Sequence, residues 1–72
     1  MAEMTSKLSL RVNGEATDAP VGATVLDLLV QLGLSGPVAA EVNGEIVVRA
    51  KHAEHQLADG DVIELVHFVG GG

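Results

Sequence analysis

Thr24-Val25-Leu26-Asp27-Leu28-Leu29-Val30-Gln31-Leu32-Gly33 is the stretch on which the fold turns. Val25, Leu28, Leu29 and Leu32 fall at i, i+3, i+4 and i+7, the spacing that lines apolar side chains along one side of a helix. The Thr24 hydroxyl can accept a backbone N–H, and Asp27 three residues on makes a short-armed capping box. Gly33 supplies the positive-φ residue that ends the helix. Leu26 and Val30 lie off the stripe; they either widen the buried face or stand half exposed.

The segments on either side of the helix have the other period. Lys7 to Val12 alternates polar and apolar residues, as a half-buried strand does. Asn13-Gly14 suits a two-residue hairpin turn, in which both positions need positive φ. Glu15 to Ala19 is the return strand, poor in large apolar groups and therefore expected at a sheet edge. After the helix, Val38 to Val42 is a third strand, closed by Asn43-Gly44 and answered by Glu45 to Val48. The block Val-Asn-Gly-Glu at 12–15 recurs at 42–45. The flanking residues do not match, so the recurrence is shared turn chemistry and not duplication. Arg49 to Leu57 is a connector with room for one helical turn, and Asp59-Gly60-Asp61 is a tight turn. Val62 to Val69 is the last and most apolar strand. One helix against one sheet makes an α+β domain of two layers.

The chain has 72 residues, 47% of them apolar, enough for one thin core. That composition excludes disorder, which needs low hydrophobicity with high net charge. Without cysteine there is no disulfide, thiolate zinc site or cysteine nucleophile. No apolar run approaches a membrane span and Met1 to Leu10 has no signal-peptide pattern. The expectation is a small cytoplasmic domain. Ten acids against four Lys and Arg give a charge of −6, which disfavours nucleic acid and anionic lipid. An acidic surface fits a basic protein partner, and equally fits plain solubility.

Candidate chemistry is sparse. His52 and His55 at i, i+3 can share one side of a helical turn, but a metal site needs a third ligand, from Glu54, Asp59 or His67. The simpler reading makes His52 and His55 solvated connector residues, with no metal bound. His67 alternates with Ile63 and Leu65 and has a structural place at the exit of the core face. No Gly-x-Ser-x-Gly elbow or phosphate-cradling loop is present. Asp59 and Asp61 flank a glycine and read as turn formers. By itself the chain is not expected to be an enzyme.

Six glycines have a turn, loop or cap role, and three remain at the end: Gly70, Gly71 and Gly72. Three extended residues reach about 10 Å beyond a sheet. Such a tail can thread a narrow slot in another protein and present its carboxylate, or it can be a frayed end.

Several of these features together resemble the thiamin-biosynthesis sulfur carrier (ThiS) family. They are Gly70-Gly71-Gly72 after a final strand, the Val-Asn-Gly-Glu hairpins, Thr24-Val25 opening a leucine-rich helix, and His52-Ala53-Glu54-His55-Gln56-Leu57-Ala58-Asp59-Gly60-Asp61. The likeness runs from about Leu8 to Gly72. It implies a ubiquitin-like β-grasp fold, a mixed sheet of four to five strands with one helix on one face and the first and last strands parallel at its centre. Residues 1–69 then form a single domain and residues 70–72 a flexible tail.

The resemblance also implies a function. An adenylating enzyme (ThiF-like) uses MgATP to activate the Gly72 carboxylate, a cysteine-derived persulfide donates sulfur, and thiazole synthase (ThiG-like) consumes the thiocarboxylate. The chain itself holds no cofactor. The small subunit of molybdopterin synthase has a similar fold and end, and a ubiquitin-like modifier or interaction module is a further alternative. On the last strand Ile63 and Leu65 should face the helix, because Glu64 between them suits the open side. Val66 and Phe68 then emerge beside the tail as a candidate docking patch, unless Phe68 folds back onto a sheet edge.

Overall fold

The computed structural model describes residues 7–68. In chain order these form β1 (Lys7–Val12), β2 (Glu15–Pro20), α1 (Val25–Gln31), β3 (Val38–Val42), β4 (Glu45–Val47), a 3-10 turn (Arg49–Lys51) and β5 (Val62–His67). The five strands make one sheet in the order β2-β1-β5-β3-β4. β1 and β5 are parallel and central, and the other three pairings are antiparallel. This is the mixed β-grasp sheet, with β2 on an edge as its composition predicts.

Both hairpins use the turn residues expected. Asn13 and Gly14 have φ of 51° and 85°, and Asn43 and Gly44 have 53° and 87°, the double positive-φ geometry that matches strand twist. Each asparagine does a second task. Asn13 Oδ1 accepts the Leu65 N–H at 2.8 Å and its Nδ2 donates to the Leu65 carbonyl at 3.2 Å. Asn43 Oδ1 accepts the Val62 N–H at 2.9 Å. The two copies of the Val-Asn-Gly-Glu block thus grip β5 from its two edges.

Helix α1 starts with the capping box: Asp27 N–H donates to Thr24 Oγ1 and Thr24 N–H to the Asp27 carboxylate. Its next two free donors are met from the connector, Val25 N–H by the His55 carbonyl and Leu26 N–H by the His52 carbonyl, both at 3.0 Å. Val25, Leu28 and Leu29 are buried against β1, β3 and β5 in a single core.

Leu32 departs from its expected place. It is the C-cap residue and 40% exposed. A seven-residue helix has too few turns to carry the stripe to i+7. The chain leaves through Gly33 at φ 74°, with Gly33 N–H on the Val30 carbonyl and Leu34 N–H on the Leu29 carbonyl. This pairing is a Schellman end, whose apolar contact comes from the residue after the glycine. Leu34, not Leu32, packs on the core. Leu26 and Val30 are exposed. β4 ends at Val47, one residue short of the expected return strand, because Val48 turns out to cap the 3-10 turn.

His52 is a second correction. It is not a solvated connector residue: it is 5% exposed, and its ring Nε2 lies 3.0 Å from the Val47 carbonyl. A carbonyl only accepts, so Nε2 carries the hydrogen. The connector must fold inward to bring its carbonyls to the helix start, and His52 is drawn in with it. His55 is half-buried, and exposed His67 has Nε2 2.6 Å from the Ser35 carbonyl. Among the described residues no helix is long and apolar enough to cross a membrane.

Two outcomes follow for stability. Leu28→Ala costs about 2–5 kcal/mol in urea unfolding, while Leu32→Ala stays within about 0.5 kcal/mol. His52→Ala lowers stability by about 1–3 kcal/mol by orphaning the Val47 carbonyl, whereas His55→Ala, whose carbonyl bond is kept, costs less.

Candidate docking face and C-terminal strand

β5 is the central strand and the last described element before the glycine tail. Its side chains alternate as expected: Ile63 and Leu65 are buried under the helix, and Val62, Glu64 and Val66 point to the uncovered face. Phe68, one residue past the strand, still pairs through its N–H with the Pro37 carbonyl at 3.1 Å. Val66 and Phe68 are 53% and 58% exposed, so Phe68 is not folded away onto a sheet edge. Val69, Gly70, Gly71 and Gly72 lie outside the described residues.

On the β1 side, the ladder ends where the Asn13 amide takes both backbone groups of Leu65. On the β3 side it continues to Val38, opposite His67. The strand is therefore held on both edges up to Leu65 and on one edge beyond it, where the approach to the tail begins.

The base of β5 is fixed by the Asp59-Gly60-Asp61 turn. Gly60 has φ 88°, a conformation strained for any residue with a Cβ. Its N–H donates to the Ser9 carbonyl at 2.7 Å, and Ser9 N–H donates to Asp59 Oδ1 at 2.7 Å. Buried Asp61 accepts from Ala58 N–H at 2.8 Å and from Asn43 Nδ2 at 2.9 Å. These carboxylates are more than turn formers, since each ties β5 to a neighbouring strand.

Around Val66 the open face adds Ala39, its register partner, and Ile46 on β4, which is 76% exposed. Ile46 was legible in principle: Val47 must face the core after the Asn43-Gly44 turn, which sends Ile46 outward. A shallow depression of about 190 Å³ is lined by Ala39, Ala40, Glu41, Ile46, Glu64 and Val66. A larger groove of about 360 Å³ lies between the helix and the 3-10 turn, mostly apolar, with Arg49, Ser35 and His52 as its polar lining. Among the described residues, no group of three or more His, Asp or Glu is placed to hold a metal ion.

The comparisons with known proteins agree with this architecture. The ThiS family model matches residues 10–72. The sulfur carrier protein ThiS of Escherichia coli is 36% identical over 66 residues, covering 90% of this chain and all of that protein. The crystal structure of the thiamine biosynthesis protein ThiS from Geobacter metallireducens superposes with a TM-score of 0.75 at 32% identity, over 90% of this chain and all of that one. The thiazole synthase of Paramagnetospirillum magneticum is 42% identical over 66 residues, 90% of this chain but only 20% of that protein. The chain thus spans about a fifth of the length of the thiazole synthases it matches. With its β-grasp sheet, its paired Asn-Gly turns and a model match over nearly its whole length, the chain belongs to the ThiS family of small sulfur carrier proteins of thiamin biosynthesis.

Proposed function

We propose that the chain carries sulfur as a thiocarboxylate on Gly72 and delivers it to a thiazole synthase. A free carboxylate is a poor electrophile. In the proposed sequence, a ThiF-like enzyme lets the Gly72 carboxylate attack the α-phosphorus of MgATP, expelling pyrophosphate and forming an acyl-adenylate. The terminal sulfur of a cysteine-derived persulfide then attacks the acyl carbon and AMP leaves. A second thiol cleaves the resulting S–S bond, forming a disulfide with the donor sulfur and leaving the thiocarboxylate on Gly72.

The observation that carries this reading is the likeness to a stretch within thiazole synthases. A carrier-like stretch joined to a synthase in one polypeptide puts the sulfur donor beside its consumer. The chain's own chemistry is consistent with a passive role. It has no cysteine to react with activated sulfur, and the partners supply the electrostatic catalysis. Gly70 and Gly71 bring no side chain into the slot, and Val66 and Phe68 offer an apolar anchor at the tail's base.

Deleting Gly71 and Gly72 abolishes thiocarboxylate formation, read as the mass gain of one oxygen replaced by sulfur after incubation with ATP, persulfide donor and activating enzyme. The melting temperature of that truncation stays at the wild-type value; a large fall, or retained sulfur transfer, overturns the reading. Phe68→Ser weakens binding to the activating enzyme and thiazole synthase by about 1–3 kcal/mol with little loss of stability. Leu65→Ala, which empties a buried site on the other face, costs about 2–5 kcal/mol of stability instead. Melts and binding titrations on both variants check the assignment of faces.

A further inference from the structure

Glu41 on β3 and Glu64 on β5 are register partners, and both belong to the open face. Two positions along, Asn43 N–H donates to the Val62 carbonyl, so Glu41 and Glu64 occupy a hydrogen-bonded pair position with Cα atoms about 5.5 Å apart. Like charges directly opposed across strands destabilise a sheet. Among the described residues the ion pairs are Lys7–Asp18 and Lys51–Glu54, and neither relieves this repulsion. By that rule the Glu41–Glu64 position is a cost to the sheet, and it lies on the one face that no helix covers.

The surroundings show what could offset that cost. The depression at this pair is walled by Ala39, Ile46 and Val66. Apolar walls with two carboxylates fit a long side chain that has a methylene stem and a cationic head. Arginine fits best, because its planar fork donates to two carboxylates at once. A second copy of this chain is the wrong occupant: two open faces together would oppose four carboxylates. We propose that this depression receives an arginine of the adenylating enzyme, its guanidinium bridging Glu41 and Glu64 and its stem lying along Ile46 and Val66. The proposal rests on the docking face assigned above and adds the residue chemistry that orients the partner on it. The Phe68 contact supplies apolar anchoring, and the charged contact sets the angle at which the tail enters.

The test compares two double variants that change net charge equally. Glu41→Gln with Glu64→Gln removes the opposed pair. Glu15→Gln with Glu45→Gln removes two exposed acids at the hairpin turns, opposite Val12 and Val42. Each is titrated with the purified ThiF-like adenylating enzyme at low and high salt, and each is melted. The first variant is expected to lose affinity about tenfold, lose most of the salt dependence of binding, and melt above wild type. The second is expected to bind as wild type does. Equal losses in both variants, or wild-type binding by the first, overturn the arginine assignment while sulfur transfer by the wild-type chain leaves the carrier reading standing. Failure of the wild-type chain to bind the enzyme or accept sulfur overturns both.

Discussion

Strand β5 is gripped from both edges by side-chain amides that imitate strand backbone, and the remainder of the structure is arranged around that grip. A backbone N–H and C=O left unpaired in the middle of a sheet would each cost as much as a lost hydrogen bond. β1 turns into its hairpin before β5 ends, and β3 turns into its hairpin where β5 begins. Asn13 supplies an acceptor and a donor to Leu65, and Asn43 supplies an acceptor to Val62. The same residues hold the positive-φ turns. One residue type therefore closes each hairpin and ties it to the strand between them.

That arrangement determines how the chain can act on another protein. β5 is anchored at its start by Asp59, Gly60 and Asp61, on both edges up to Leu65 and by β3 alone beyond it, so its direction is fixed over the described residues. A single seven-residue helix covers one face of a five-stranded sheet. The other face is left uncovered, with Val66 and Ile46 exposed beside an opposed pair of glutamates and Phe68 exposed just past the strand. On the proposed reading the reacting carbon sits at the chain's end, and such a carrier needs no nucleophile of its own. On that reading it needs a rigid base and a surface by which a partner seats it; this sheet has a central strand anchored at its start and one face that no helix covers.

The connector between β4 and β5 shows how backbone needs can override side-chain polarity. A short helix cannot satisfy its own first N–H groups, and here two connector carbonyls are brought in to do so. Burying His52 is the consequence. Its ring is accommodated because Nε2 meets the Val47 carbonyl, so the group adds a link between the connector and β4 in place of an unpaired polar atom.

Most elements were legible because their causes are local. The Thr24–Asp27 cap, the two Asn-Gly turns, the period-two strands and the alternation of Ile63 and Leu65 against Val66 and Phe68 depend on neighbours within a few residues, and the chain alone determined them. The central parallel pairing came from family resemblance, because no period in β1 or β5 says which strand lies beside which. Tertiary structure decided the rest. Leu34 displaced Leu32 from the core because the helix ends in a Schellman turn, His52 was buried to bring its carbonyl to the helix, and both turn asparagines reached β5. Glu41 and Glu64 came to face each other across strands 23 positions apart in sequence. Such outcomes depend on register between distant segments, and register is set only when the sheet closes and its core face must be buried.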